Sequence, residues 1–149
     1  MSPPGDTMVL FRRAPAGLGR SSLKAFARKL RDAVAGGRSF QCLVTDDREL
    51  RRLNAQFLAK DYPTDVLSFP DMQPDGGMGE IAISAQRAAA QAAEYGHGVD
   101  EEIRILMLHG VLHLMGMDHE TDRGRMRRAE TAWRRKLGLT AGLIERVRS

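Results

Sequence analysis

The longest apolar run of the chain, from Ile105 to Met117, is broken by two histidines, His109 and His113, and by two glycines. It is shorter than the roughly 18 apolar residues that a membrane-spanning helix needs. The run therefore predicts a helix that is buried on most sides, capped at its start by Asp100 and ending near Gly116. A histidine buried in such a helix requires a hydrogen-bond partner or a metal ion.

Hydrophobic periodicity elsewhere predicts an α+β fold. Alternating or short apolar segments predict strands, and apolar residues spaced three or four apart predict helices. The strands are expected at 8–11, 40–45, 66–69 and 79–84, and the helices near 21–35, 47–60, 85–95, 100–116 and 122–137. With 149 residues and no repeat or linker, residues 1–149 are expected to form one domain, a small mixed sheet of about four strands packed with about five helices.

Composition restricts the compartment and the partners. The start of the chain has no basic segment followed by an apolar core, so no secretory signal is predicted. Cys42 is the one cysteine, which excludes an internal disulfide and fits a reducing cytosol. We therefore expect a cytoplasmic protein with no membrane partner. The net charge is +4, with nineteen arginines against four lysines; coding bias accounts for much of that ratio, but the positive sign permits a polyanionic partner.

Three of the four histidines lie close together and predict a metal site. His109 and His113 are four positions apart, which places them about 40° apart around a helix axis. His119 follows Gly116, a residue that can take a positive φ and turn the chain back. Three imidazoles leave a tetrahedral zinc ion with one open position. We expect one Zn²⁺ per chain on the buried helix and the turn after it; the alternative is three separate histidines, each satisfied by a carbonyl or carboxylate.

The spacing H-x₃-H-x₂-G-x₂-H also resembles the metzincin protease signature. In that signature a glutamate directly follows the first histidine and activates water, whereas here Gly110 occupies the position. A peptidase would lack its general base. A zinc hydrolase acting on another substrate, such as a peptide, is therefore the weakest of the functional alternatives.

A longer match points to a different family. Three segments, "PTDVLSFP", "GEIAIS" and "HGVLHLMGMDHE", resemble the motifs of the YbeY family of bacterial endoribonucleases and follow one another in the order expected of that family. The resemblance extends from about Leu43 to Leu137. It implies a zinc-dependent endoribonuclease that acts on single-stranded RNA in 16S ribosomal RNA 3′ end processing and ribosome assembly. It also implies rRNA precursor and the ribosomal small subunit, or its proteins, as partners.

Three positions depart from the pattern of that family, namely Leu58, where arginine is usual, Glu80 and Met117. An arginine near the metal would bind phosphate through its planar guanidinium or stabilise developing charge. Lys60, two residues after Leu58, carries a positive charge but lacks the planar group that donates two hydrogen bonds at once. Leu58 therefore favours an alternative function, that of a non-catalytic, metal-stabilised assembly factor that binds RNA or the ribosome.

Further candidates surround the histidines. Asp65 and Asp118 are candidate catalytic residues. The alternative for Asp65 is a role in a turn or a helix cap, and the alternative for Asp118 is that it orients a metal ligand. His97, between two glycines, is expected to be a loop histidine. Five basic residues are candidate contacts for RNA phosphates, namely Lys60, Arg127, Arg128, Arg134 and Arg135. The alternative is that they form an ordinary charged surface exposed to solvent.

Overall fold

The computed structural model describes residues 8–58, 64–70, 77–118, 121–140 and 143–144. Within these ranges the chain forms four strands and five helices, as the periodicity predicts. The strands are β1 (Met8–Phe11), β2 (Gln41–Thr45), β3 (Val66–Pro70) and β4 (Gly79–Ser84). The helices are α1 (Arg20–Ala33), α2 (Asp47–Leu58), α3 (Ala85–Tyr95), α4 (Val99–Leu114) and α5 (Arg125–Leu137).

The strands form one mixed sheet in the order β1-β2-β4-β3. The first three are parallel, and β3 runs antiparallel to β4. The register places Cys42 beside Ile81 and Ile81 beside Ser68, so these side chains share one face of the sheet. Leu43 and Ala82, one residue further along β2 and β4, lie on the opposite face.

The main core lies between the Ile81 face of the sheet and helices α1 and α4. Helix α4 contacts β3, β4, α1, α3 and α5, and all but one of its residues from 105 to 114 are buried. The prediction of a central buried helix is confirmed. Each large apolar side chain fully buried there contributes about 1.5–3 kcal/mol relative to its exposed state, so α4 is the element around which the fold is built.

The helix starts depend on caps and on tertiary contacts. Ser84 caps α3 as its position predicts, accepting the backbone N–H of Arg87 at 3.1 Å. The predicted Asp100 cap is wrong, because α4 begins at Val99 with Gly98 as N-cap. The Asp100 carboxylate instead accepts the N–H of Gly19 at 3.1 and 3.2 Å. It thereby joins the start of α1 to the start of α4.

Helix α2 packs on the other face of the sheet over a smaller apolar cluster of Leu50, Leu67, Phe69 and Ala82. The periodicity predicts that Phe57 also faces inward, and this is wrong: Phe57 is 46% exposed. Its ring packs edge-on against Phe69 of β3 at the border of a groove on this face of the sheet, which leaves it partly open to solvent. Among the described helices, none has the length and the apolar character needed to cross a membrane.

Candidate metal centre

The two histidines of α4 approach each other closely. The Nε2 atoms of His109 and His113 are 3.2 Å apart, and the ring planes meet at 76° with centroids 4.7 Å apart. His109 is buried and His113 is half-buried, so the pair lies where the core meets the surface. The helical spacing thus brings both rings to one point, as the sequence predicts.

A buried carboxylate fixes the orientation of the deeper ring. Glu130 of α5 is 1% exposed, and its Oε2 lies 2.7 Å from Nδ1 of His109. Its Oε1 accepts the backbone N–H of Ile144 at 2.7 Å. An ionised carboxylate only accepts hydrogen bonds, which assigns the proton of a neutral His109 to Nδ1 and leaves the lone pair of Nε2 facing His113. Metal-binding histidines in proteins commonly donate their other ring N–H to a carboxylate in this way.

The distance between the rings fits a metal site. Two nitrogens held about 2.0–2.1 Å from a tetrahedral zinc ion are separated by about 3.3–3.4 Å, close to the 3.2 Å between these Nε2 atoms. Among the described residues no third histidine, cysteine or carboxylate completes a set of metal ligands. His119 lies outside those residues, so its role as third ligand stays a prediction.

The turn that follows the histidines is built as predicted. Gly116 has φ +91°, which L-residues with a side chain rarely adopt. Its N–H bonds to the carbonyl of His113 at 2.9 Å, and the N–H of Met117 bonds to the carbonyl of Leu112 at 3.2 Å. These paired bonds end the helix and reverse the chain direction, so the segment that leads to His119 leaves α4 beside the histidine pair.

Gly110 faces the sheet. A Cβ at this position would lie 2.9 Å from Cγ2 and 3.0 Å from Cδ1 of Ile81. The Gly110 carbonyl also accepts the hydroxyl of Ser68 at 3.2 Å. Glycine is therefore required for close packing of α4 on β3 and β4, and a glutamate here would clash with the core instead of reaching the histidines.

The two acidic candidates have local roles in the structure. Asp65 accepts the N–H of Val66 at 2.8 Å through Oδ1 and the amide of Gln91 at 3.1 Å through Oδ2. It joins the start of β3 to α3. Asp118 is exposed, and its backbone carbonyl accepts the N–H groups of Thr121 and Asp122. Neither is placed against the histidine pair by a described contact, and a catalytic role for either stays a prediction.

The outer surface of α5 is more basic than the sequence alone indicates. Glu130 is the only acidic residue of this helix and it is buried, so the solvent-exposed charges of α5 are all positive. Arg127, Arg128 and Arg135 are exposed, and Arg134 is half-buried with Nη1 3.5 Å from the carbonyl of Leu139. Lys60 and the side chain of Leu58 lie outside the described part of the chain.

His97 belongs to a separate contact. Its Nε2 lies 2.7 Å from Oε1 of Glu102, a fully buried residue of α4. Its Nδ1 lies 3.3 Å from the hydroxyl of Thr140, whose N–H bonds to Glu101 at 2.8 Å. These bonds tie the segment after α5 to the start of α4. His97 lies in the loop between α3 and α4, as predicted, and the sequence does not indicate these tertiary bonds.

Glu130 is a site residue that is not recognised from the sequence. It lies in a segment rich in arginine, where an acidic residue is expected to be one more exposed surface charge. A signal was present: Glu130 is four residues after Met126 and three before Trp133, both of which pack on the main core. A carboxylate on the buried stripe of a helix needs a buried partner. With four histidines in the chain, that partner is recognisable as a histidine only once α4 and α5 are packed together.

The fold and the site define an α+β domain that carries, at the end of its central helix, a histidine pair supported by a buried carboxylate. Residues 18–138 match the sequence profile of the Endoribonuclease YbeY family. The chain is 60% identical over its full length to the Endoribonuclease YbeY of Solibacter usitatus, which it also covers completely. It is 49% identical over 140 residues to that of Koribacter versatilis, covering 94% of this chain and 91% of the relative. The chain therefore belongs to the Endoribonuclease YbeY family.

A solved structure agrees with this assignment. The solution structure of TM1509 from Thermotoga maritima superposes with a TM-score of 0.52 at 31% sequence identity, covering 77% of each chain. Because the superposition covers most of both chains, the sheet and helices of this protein have the same arrangement as those of TM1509.

Proposed function

We propose that this protein is a zinc-dependent endoribonuclease that cleaves single-stranded RNA, and that it acts in the cytoplasm on ribosomal RNA precursor, at the 16S 3′ end, during assembly of the small ribosomal subunit. The observation that carries the proposal is the 3.2 Å approach of the Nε2 atoms of His109 and His113, with Nδ1 of His109 held by Glu130. The relatives in Solibacter usitatus and Koribacter versatilis are named Endoribonuclease YbeY, which supplies the reaction class.

In this proposal each residue of the site has a physical task. His109, His113 and His119 hold zinc, which when bound supplies a Lewis acid for a phosphoryl oxygen and lowers the pKa of water from about 15.7 towards about 7. Glu130 keeps the proton of His109 on Nδ1, so that Nε2 remains a ligand. Gly116 turns the chain so that His119 can return to the pair.

Charge supports RNA as the substrate. The exposed arginines of α5 present five-donor guanidinium groups, which pair with phosphate oxygens in bidentate geometry. The buried position of Glu130 removes the one acid that would oppose them on this helix. A basic surface on α5, the helix whose buried Glu130 contacts His109, suits a polyanionic substrate.

Leu58 favours a second candidate function, a metal-stabilised assembly factor that binds RNA without cutting it, because leucine offers no charge to a phosphate. The experiment that separates the two compares cleavage of single-stranded and structured RNA by the protein, His113→Ala and His97→Ala. His97 is the matched control, a half-buried histidine bonded to Glu102 away from the pair.

The proposal expects bound zinc and RNA cleavage in the protein and in His97→Ala, and the loss of both in His113→Ala. Equal cutting by all three samples would indicate a contaminating nuclease and refute the enzymatic proposal. RNA binding with zinc bound and no cleavage in any sample would favour the assembly factor.

A further inference from the structure

A groove of about 320 Å³ opens on the face of the sheet opposite α4, between α2 and strands β1, β2 and β4. Its volume is at the lower end of the range for small-molecule sites. Leu43, Leu53 and Phe69 supply apolar walls. Neither His109 nor His113 is among the described residues that line the groove, and the groove has no task in the proposed metal chemistry.

Polar side chains with unused hydrogen-bonding groups line the same groove. Arg12, Gln41 and Glu80 make no side-chain hydrogen bond or ion pair within the described part of the chain. Gln56 uses only Oε1, which accepts Nη1 of Arg52 at 2.8 Å, and its amide nitrogen stays available. The groove thus offers donors, an anionic acceptor and a cation around an apolar interior.

One aromatic ring completes the lining. Phe57 is 46% exposed, and its ring meets Phe69 edge-on with centroids 5.5 Å apart. An exposed phenylalanine held by a second ring is a preformed stacking surface, and single-stranded RNA is commonly bound by stacking of unpaired bases on such rings.

We propose that this groove binds one unpaired nucleobase of the RNA, with the base against Phe57, its polar edge against Gln41 and Glu80, and a neighbouring phosphate at Arg12. This inference rests on the proposed function and adds a second contact point for its substrate. A carboxylate accepts hydrogen bonds from exocyclic amino groups, so Glu80 favours cytosine over uracil, which has no amino group.

A peptide strand is the other class of occupant for a sheet groove. Such a strand would pair with the outer backbone edge of β1, whereas the unused groups of the groove are side-chain amides, a carboxylate and a guanidinium on the face of the sheet. That set of groups matches a base and a phosphate, so the observations favour RNA.

The position of the groove sets a length requirement. Because the histidine pair and the groove lie on opposite faces of the sheet, an RNA strand that fills both must pass around an edge of the sheet. Short oligonucleotides that occupy only the metal centre will not depend on the groove, and longer ones will.

The test measures the affinity of the full-length protein for long and short single-stranded oligo(C) and oligo(U) RNA by fluorescence anisotropy, with RNA integrity checked on gels. The groove variants are Arg12→Ala, Phe57→Ala and Glu80→Gln. The matched control is Arg28→Ala, which removes the same charge from an exposed position on α1. Thermal unfolding verifies the folding of each variant, and Arg12→Ala keeps the test valid if Phe57→Ala is unstable.

We expect Phe57→Ala to weaken binding of long oligo(C) about five- to tenfold, the loss of one stacked base. Arg12→Ala should reduce the slope of log affinity against log salt by about 0.7, the loss of one phosphate contact on a single strand. Glu80→Gln should remove the preference for oligo(C) over oligo(U), and Arg28→Ala should change none of these quantities.

The subsite is refuted if the groove variants bind every oligonucleotide as tightly as the Arg28→Ala control does. That result is also the one expected if a protein segment, and not RNA, fills the groove. If the unaltered protein binds and cuts RNA while the groove variants do so equally well, the subsite alone fails. If the unaltered protein binds no RNA, the proposed function fails together with the subsite.

Discussion

Replacing Glu130 by glutamine tests the geometry of the histidine pair with the smallest available change. The carboxylate of Glu130 accepts two hydrogen bonds, from Nδ1 of His109 and from the N–H of Ile144, both at 2.7 Å. A glutamine has the same shape but only one accepting oxygen, and its amide nitrogen donates. In E130Q, one of the two donors therefore faces another donor.

Each arrangement of the glutamine has a defined cost. If its nitrogen faces Ile144, a buried backbone N–H is left unsatisfied, which costs about 1–3 kcal/mol of unfolding free energy. If its nitrogen faces His109, Nδ1 must accept and the proton moves to Nε2, which removes a metal ligand. Loss of such a supporting hydrogen bond typically lowers metal affinity about ten- to a hundredfold. We expect E130Q to show both effects in part.

The assay is a zinc competition titration against a chromophoric chelator, combined with urea unfolding of the metal-free protein. Glu102→Gln is the matched control, because Glu102 is also a buried carboxylate 2.7 Å from a histidine nitrogen, that of His97. It should lose stability and keep its zinc affinity. Native zinc affinity together with native stability in E130Q, or an equal loss of zinc affinity in E102Q, would show that Glu130 does not position His109.

Three further changes test the packing and the electrostatics. Gly110→Ala should destabilise the protein by about 1–3 kcal/mol in urea unfolding, because its Cβ would meet the buried Ile81 side chain at 2.9 Å; a neutral or stabilising effect would contradict the close approach. Hydrogen bonds from Arg52 lower the pKa of Glu49 below its ordinary value of 4.5, so Glu49 stabilises the fold fully above that pH and loses this contribution as the pH falls through the lowered pKa. The stability difference between the protein and E49Q should therefore be about 1 kcal/mol at neutral pH and shrink in acid, whereas a constant difference would oppose this explanation. Burial raises the pKa of the Cys42 thiol to about 12, so iodoacetamide near pH about 8.5, where a free thiol is roughly half ionised, should modify it only after unfolding; rapid modification of the folded protein would show that the core is open.

The elements of the fold could be predicted from sequence because their signals are local. The apolar run around His109 specifies a buried helix, and the alternation in "GEIAIS" specifies β4. Gly116 marks the turn after the histidines since its positive φ excludes most other residues. Each of these signals depends on neighbours within a few positions.

The predictions fail where contacts between segments far apart in sequence determine the position of a side chain. Asp100 has the chemistry of an N-cap, but the N–H of Gly19, 81 residues away in sequence, takes its carboxylate. Phe57 has the spacing of a core residue, but it lies at the border of a groove between α2 and the sheet and stays 46% exposed. Glu130 pairs with His109 across two helices. No local pattern contains these partners, so they appear only when the elements are packed.

Anomalous diffraction at the zinc edge from crystals of the purified protein tests directly whether the three histidines hold a zinc ion. A zinc ion held by the three histidines would give one peak per chain, about 2.0–2.1 Å from Nε2 of His109 and of His113, with a ring nitrogen of His119 at the same distance. No peak at this position, with the two rings joined by a direct N–H···N hydrogen bond and His119 turned away from them, would contradict this prediction.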